Sequence, residues 1–411
     1  MKPLKSRKPQ DRRAFLKTVA GGALAVGASL AGRPIRGQEP PAPATRGSMA
    51  YRRLGRTGLD VSEISLGSSP LPDYDLLRAI IDRGVNYIDT SHSYDNGNAE
   101  RQIGRLLKDV GRDKVHVTTK FHVTPRDTPA SLMATAHGSL RRLGVETVDV
   151  LGIHGAESAA VLVDDRVLEA FDKLKAEGVY RFRGLSCHAN HDEVVRKAVE
   201  SGLYDMVQVG YNVFDIQESS REVETYPDYL GASGLRGLLE LAHGRGVGVV
   251  AMKTLKVGGR RQDLARYKAN AASLYQAMLM WVLDDPHVAS AVTEILNRSQ
   301  MEEDLGAAGR KLAADEREAL VRYVRENGAG YCHGCAGCRR ACPAGVDSPA
   351  ILRAMAYLES FDKRDRAREE YAAAVEGQAG AVCRDCGACE KACPYGVPVR
   401  SRVREARRVL A

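Results

Sequence analysis

The sequence predicts an α/β protein: a (β/α)8 barrel followed by a small α-helical domain organised by cysteines. Three observations predict it. Short β-branched runs alternate eight times with amphipathic segments across about 250 residues, the usual length of such a barrel. Eight of the nine cysteines fall in two runs near the C-terminus with one repeated spacing. The N-terminus, by contrast, is basic and then apolar, which sets it apart from both.

The 411 residues suggest two or three domains, and a hydrophobic content of 44% is ample for a core. The net charge is +8, but residues 1–31 hold seven Lys/Arg against one acid and account for +6 of it. The remainder is close to neutral, which removes most of the case for a nucleic-acid partner. In that N-terminal stretch, Arg12-Arg13-Ala14-Phe15-Leu16-Lys17 precedes an apolar, Gly/Ala-rich segment ending near Ala31. It reads as a signal peptide and is too short and too small-residue-rich for a stable membrane span. The paired arginines resemble a twin-arginine export signal, which implies a periplasmic or otherwise exported protein that loads its cofactors before export. Residues 32–48, rich in Pro and Ala, read as a linker.

The expected barrel spans 49–327. It opens on a small hairpin with Gly turns over 51–61. The strand runs are 64–67, 85–89, 115–119, 148–153, 182–186, 206–210, 247–251 and 288–292. A doubly wound sheet is the alternative. Its Gly-x-Gly-x-x-Gly turn is missing: the first run ends Leu66-Gly67-Ser68-Ser69-Pro70. In a barrel the chemistry sits at the C-terminal strand ends. Those ends carry Asp89 with His92 and Tyr94 in the following loop, then Lys120, His154, Ser186-Cys187-His188, Tyr211-Asn212 and Met252-Lys253. Asp89, Tyr94, Lys120 and His154 thus converge on one mouth, and such convergence is a stronger signal than any of them singly. His92 and His188 either touch a ligand there or merely line the mouth. Cys187, outside both cysteine runs, reads as a buried small residue.

The cysteine runs are Cys332-x2-Cys335-x2-Cys338-x3-Cys342-Pro343 and Cys383-x2-Cys386-x2-Cys389-x3-Cys393-Pro394. This is the pattern of a two-cluster bacterial-type ferredoxin. Zinc ribbons do not add the third cysteine, and a disulfide scaffold needs no repeat closed twice by Cys-Pro. Three cysteines at i, i+3 and i+6 reach one cubane, and the fourth ligand comes from the other run. The expected sets are Cys332, Cys335, Cys338 and Cys393 for one [4Fe-4S] cluster, and Cys383, Cys386, Cys389 and Cys342 for the other. Two helices are expected between the runs, with Pro349 in a first turn, making 328–411 a helical ferredoxin-like domain. Five arginines at helical spacing in 400–408 read as a solvated face or as a docking patch for an acidic redox partner.

Within 51–305 the segments Ile88-Asp89-Thr90-Ser91-His92-Ser93-Tyr94, Thr118-Thr119-Lys120 and Ile153-His154-Gly155 resemble the aldo/keto reductases. The Tyr51 hairpin is part of the same resemblance, and Gly184-x-Ser186-x-His188, Gln208-x-x-Tyr211-Asn212 and Met252-x-x-Leu255-x-x-Gly258 resemble the branch with a C-terminal ferredoxin-type region. The resemblance implies interconversion of a small carbonyl and alcohol by hydride transfer with a nicotinamide, NADP(H) being the first expectation. It implies Tyr94 as general acid, Lys120 lowering its pKa, Asp89 holding Lys120, and His154 orienting the carbonyl. It further implies Ser186, Gln208 and Tyr211 around the nicotinamide. Lys253, Gly258 and Arg298 would lie near the phosphates, with Asn297-Arg298-Ser299 opening a helix. Two departures stand out: Glu294 where a Gly is usual, placing an acid beside the expected pyrophosphate, and Asp304 where an Asn is usual near the adenine.

The expected function is therefore an exported oxidoreductase whose clusters link the barrel site to a redox partner protein. The alternatives are a dehydrogenase passing electrons through the clusters without free nicotinamide, and a non-catalytic electron-transfer protein with a degenerate barrel.

Overall fold

The β-branched runs close on themselves. In the computed structural model, strands β4 (Ile64–Gly67), β5 (Tyr87–Asp89), β6 (His116–Phe121), β7 (Val148–Ile153), β8 (Tyr180–Cys187), β9 (Met206–Gly210), β10 (Gly248–Met252) and β11 (Ser290–Thr293) pair in sequence order. All eight pairings are parallel, and β11 returns to β4 through Val292 and Ser65. The structure describes residues 44–46, 49–215, 234–255, 267, 273–328, 330–376 and 383–411. The expected signal peptide and Gly258 lie outside them.

Near-continuous apolar burial along each run is what a parallel sheet covered by helices demands. Helices α1 (Tyr74–Asp82), α2 (Asn98–Val110), α3 (Pro129–Leu143), α4 (Asp165–Ala176), α5 (His191–Ser201), α6 (Gly234–Gly244) and α7 (Leu274–Asp284) supply that cover. Their starts follow capping chemistry. Asp73 accepts the Leu76 N–H, Asp164 that of Arg166, and Thr128 forms a reciprocal capping box with Ser131. Leu106, Leu140, Phe171, Leu174, Leu239 and Met278 face the strands and are buried. Two helices follow the last strand, α8 (Arg298–Leu305) and α9 (Ala314–Asn327).

The expected hairpin is the larger part of a three-stranded antiparallel sheet, β1 (Ala44–Arg46), β2 (Met49–Arg53) and β3 (Asp60–Ser62). Leu54, Leu59 and Val61 join Tyr87, Val150, Met206 and Val250 in a separate apolar cluster that plugs the barrel floor. Arg52 ties the plug to the wall through the Leu283, Asp285 and Val288 carbonyls and Glu63.

After the barrel come α10 (Gly337–Ala341), α11 (Ser348–Glu359), α12 (Arg364–Glu376), α13 (Ala388–Lys391) and α14 (Val399–Leu410). The two expected inter-run helices are α11 and α12, and Pro349 sits in the first turn of α11 behind its cap Asp347. Ile351, Leu352, Met355, Val397, Val399 and Val403 form the core of this domain.

Candidate active site and iron–sulfur domain

The mouth is built from strand ends, each side chain positioned by its own strand. Asp89 ends β5, Lys120 lies one residue from the end of β6, and His154 follows β7. Tyr94 lies in the turn after β5, where Asp95 and Asn96 take left-handed φ of 47° and 50°. The Lys120 ammonium pairs with Asp89 and donates to the Thr90 carbonyl at 2.8 Å. Both members are buried, so removing either leaves an uncompensated buried charge. The Lys120 Nζ stands 5.7 Å from the Tyr94 ring centroid. The Tyr94 hydroxyl is 3.4 Å from His154 Nε2, and His154 Nδ1 is 3.0 Å from Ser91 Oγ. One assignment satisfies every contact: Tyr94 donates to Nε2, the Nδ1–H donates to Ser91, and Ser91 donates to the Lys120 carbonyl at 3.2 Å. All four expected catalytic residues are therefore together. Ser91, which orients His154, escaped the sequence reading although it lies inside the quoted motif.

The electrostatics correct one expectation. Lys120 was expected to lower the Tyr94 pKa. Burial and then the Asp89 carboxylate instead push it well above the ordinary phenol value. Burial also pulls Lys120 down. His154 is held well below its usual range by burial, then by the neighbouring His122 and Lys120. His122 stacks on it at 4.2 Å and is itself pulled down to about 4. The site thus pairs a protonated phenol with a neutral imidazole. His92 donates its Nδ1–H to the Lys120 carbonyl, 2.9 Å away, so its ring serves the mouth's framework. His188 lies 6.2 Å from His154.

The nicotinamide contacts divide. Ser186 and Gln208 are paired neighbours on β8 and β9. Ser186 Oγ accepts the Gly155 N–H at 2.9 Å. Gln208 is buried, and its Oε1 has no hydrogen-bond partner among the described residues. An orphaned acceptor beside a hydroxyl suits a carboxamide, so this end of the mouth fits a nicotinamide. Tyr211 is a correction. Its ring packs outward on Trp281 of α7, 5.0 Å away, and its hydroxyl donates to Asp285. Arg298 is exposed at the first position of α8, whose cap Asn297 accepts the Gln300 N–H. Asp304 is fully buried. Cys187 is buried, as expected, and its thiol donates to the Ala189 carbonyl.

The expected repulsion at Glu294 is answered from a distant segment. The Lys363 ammonium, from the turn between α11 and α12, bonds Glu294 Oε1 and the Ser69 carbonyl, each at 2.5 Å. Across the mouth, Arg353 of α11 bonds Glu157 at 2.7 Å and Glu370 at 3.2 Å. Arg339 reaches Glu157, and Arg340 reaches Asn190. The Asn190 N–H donates to the Gly334 carbonyl, and Asn212 donates to the Tyr331 hydroxyl. Gly334 has a left-handed φ of 71°, and a Cβ there would meet the His188 carbonyl at 3.0 Å. The cysteine domain therefore spans the mouth from the β4 and β11 side to the β7, β8 and β9 side. Tyr94 lies beneath it.

The cysteines themselves surround two cavities. Cys332, Cys335, Cys338 and Cys393 line one, with about 300 Å³ of non-atom space. Cys342, Cys383, Cys386 and Cys389 line the other, with about 390 Å³. These are the two expected sets, each taking its fourth member from the other run. Burial pushes the Cys338 thiol up to about 12, so a thiolate there requires a cation to hold it. The arginine-rich α14 is less free than a docking patch requires: Arg400 bonds Glu390, Arg402 bonds Glu359 and Glu405, and Arg404 bonds Asp385.

A parallel barrel with this tetrad at its mouth and a cysteine domain over it defines an oxidoreductase with an iron–sulfur appendage. Residues 66–324 match the model of the aldo/keto reductase family, and the chain belongs to that family. Residues 331–398 match the 4Fe-4S dicluster domain. A curated relative, the uncharacterized oxidoreductase YqkF of Bacillus subtilis, is 26% identical over 310 residues, covering 68% of this chain and 98% of its own. Among solved structures, a thermostable aldo-keto reductase in complex with the inhibitor epalrestat matches with a TM-score of 0.53 and 26% identity, covering 66% of this chain and 98% of its own. An aldo-keto reductase of Klebsiella pneumoniae in complex with NADPH shares the fold at a TM-score of 0.52 and 24% identity, covering 66% and 93%.

Proposed function

We propose that the protein interconverts a small carbonyl and its alcohol with NADP(H), and that its C-terminal domain holds two [4Fe-4S] clusters which exchange electrons with a redox partner. The observation that carries the reading is the Tyr94 hydroxyl 3.4 Å from His154 Nε2, beside the buried Lys120–Asp89 pair. The nicotinamide, when bound, supplies or accepts the hydride. Ser186 and the orphaned Gln208 Oε1 would hold its amide, with Arg298 available to a phosphate. In the reduction direction Tyr94, kept protonated by burial, gives its proton to the oxygen that receives negative charge. His154, neutral and fixed through Ser91, orients that oxygen and can pass a proton on. Lys120 steadies the phenolate left behind, and Asp89 holds Lys120 in place.

The cap favours a second reading, a dehydrogenase that works without free nicotinamide. The mouth is covered by α11 and α12, with Lys363 engaging the residue after β11, where a barrel of this class binds phosphates. Oxidation of an alcohol releases two electrons and two protons, and two one-electron clusters match that count. The proposed localisation is periplasmic, through the twin-arginine signal at Arg12-Arg13. The described residues contain no helix long and apolar enough to cross a membrane.

Anaerobic purification with iron, sulfide and nicotinamide measured together tests all of this. About eight irons per chain with stoichiometric NADP(H) supports the first reading, and eight irons without nicotinamide supports the second. Absence of turnover on any carbonyl or alcohol, unchanged in Tyr94→Phe, would leave an electron-transfer protein.

A further inference from the structure

The two cysteine cavities differ in where they lie. Cys332 and His333 line the first cavity and also a cleft at the barrel mouth, together with His188, Gly210 and Asn212. His333 donates its Nδ1–H to Asp215 at 3.1 Å, and the Tyr331 ring stacks on Phe214 of the barrel, 4.8 Å away. The second cavity is lined, among the described residues, by the cysteine domain alone. Arg384 and Arg400 form part of its wall, and its Cys386 is the one exposed cysteine of the nine. Cys389 and Cys393 are four residues apart yet belong to different cavities, so the two lie side by side. One is inner, against the barrel, and the other is outer, towards solvent.

The charge around the outer cavity is one-sided. Residues 383–411 hold seven Lys/Arg and three Asp/Glu. All three acids are engaged: Asp385 by Arg400 and Arg404, Glu390 by Arg400, and Glu405 by Arg402. That leaves Arg384, Lys391, Arg407 and Arg408, each exposed and without an ion pair among the described residues. On α14, positions 400, 404, 407 and 408 share one helical face. Arg400 and Arg404 fix that face against Asp385, the neighbour of Cys386, so the stripe starts at the exposed cysteine and runs outward to Arg407 and Arg408. The α14 arginines alone do not make this surface; Arg384 and Lys391 from the second cysteine run complete it. Such a surplus of cations raises the local concentration of an anionic partner and speeds encounter by about 10- to 10³-fold.

We propose that the surface formed by Arg384, Lys391, Arg407 and Arg408 around Cys386 docks an acidic one-electron carrier protein, which makes the outer cysteine set the port for electrons. This rests on the cluster reading above and names the class of its partner. Each encounter moves one electron: one centre is oxidised as the other is reduced, with no bond made or broken and no proton moved. An anionic membrane suits the same charges. The exposed cysteine of a redox centre in the middle of the surface favours a redox protein instead.

The test uses the anaerobically purified holoprotein, photoreduced with deazaflavin so that the barrel chemistry plays no part. Native and succinylated cytochrome c present the same haem on a basic and an acidic protein. In stopped flow at low salt the wild type should reduce the succinylated form about tenfold or more faster than a variant carrying Arg407→Glu with Arg408→Glu does. The advantage should vanish in about 1 M salt, where charges are screened within about 3 Å. With native cytochrome c the order of the two proteins should reverse. Iron content, the electron paramagnetic resonance of the clusters and the rate with a neutral benzoquinone should be the same in both. Equal rates of the two proteins with the succinylated form, or a wild type that prefers native cytochrome c, overturn the proposal. So does binding to phosphatidylglycerol vesicles that the variant loses while its cytochrome rates stay unchanged. About four irons per chain in the wild type would overturn the two-cluster reading and the port with it; equal rates at about eight irons overturn the port alone.

Discussion

Burial keeps Tyr94 protonated and makes it a weaker acid than a phenol in water. A phenol in water is protonated at neutral pH as well, but here the Asp89 carboxylate and the covering domain oppose its ionisation further. Proton transfer in the reaction therefore depends on Lys120 and on charge developing in the substrate. Tyr94→Phe should lower kcat by about 10²- to 10⁴-fold, the usual worth of general acid help, and leave the melting temperature unchanged within error. Steady-state kinetics and a thermal melt on one preparation check both halves. Lys253 makes a different prediction. Burial, reinforced by Arg353 and Arg366 and opposed by Glu370 and Glu157, pulls it down from 10.5 to about 7. Between those values the unfolded chain binds more protons than the folded one, so this residue makes stability rise with pH across that window. Below about pH 7 both states are protonated and the full penalty of a buried charge applies. Lys253→Met should be more stable than the wild type at neutral pH and below, with the difference shrinking towards pH 10.5. Melting curves taken across that range read it directly. A difference that grew with pH would mean that the ammonium is satisfied in the folded state.

The strands and helices carry their own test. Each cysteine cavity draws one member from the other run, so the elements are crossed and a substitution should act at a distance. Cys342→Ser should damage the cluster held by Cys383, Cys386 and Cys389, and Cys393→Ser the one held by Cys332, Cys335 and Cys338. Electron paramagnetic resonance of the reduced proteins, compared with Cys335→Ser and Cys386→Ser, distinguishes crossed from local loss: Cys342→Ser should share its spectrum with Cys386→Ser. At this scale the sequence was most informative. The runs at 64–67, 148–153 and 206–210 coincide with β4, β7 and β9, because continuous β-branched stretches bounded by turns have few other solutions. The tetrad was legible for the same reason, since strand ends of one barrel must share a face. Tyr211 was misread because a residue just past a strand can turn inward or outward, and the attraction of Trp281 and Asp285 cannot be seen in local sequence. The cap was invisible because Lys363 and Glu294, or Arg353 and Glu157, lie far apart in the chain and nothing in either neighbourhood announces the other. The doubt that Glu294 raised at the phosphate end had its answer in Lys363. Lys363→Ala should therefore leave the half-buried Glu294 carboxylate without its ammonium, lowering stability and loosening the cap; weaker protection of the Ser69 and Glu294 backbone in hydrogen exchange would report it.

For the molecule as a whole, the cluster domain and the reaction site depend on one another. The C-terminal domain has roughly eighty residues, a size at which a hydrophobic core alone supplies only about 3–5 kcal/mol and a metal is commonly needed. Its core is small, and its eight cysteines line two cavities. Iron removal should thus unfold this domain, since the binding free energy of a structural metal centre is largely folding free energy. The barrel should survive, because its own core runs through all eight strands and their helices without the cysteine domain. What it should lose is the cover over Tyr94. Hydrogen exchange before and after anaerobic chelation tests this: protection should fall together at 350–370 and at 89–94, while 148–153 in β7 stays protected. Protection lost at 350–370 alone would mean that the catalytic turn is ordered by the barrel and that the cap contributes only walls. Such coupling would give the proposed twin-arginine signal a physical purpose. A site completed only by a metal-loaded domain must be assembled where the clusters are inserted, and Arg12→Lys with Arg13→Lys should leave loaded, active protein in the cytoplasm, read by fractionation and iron content.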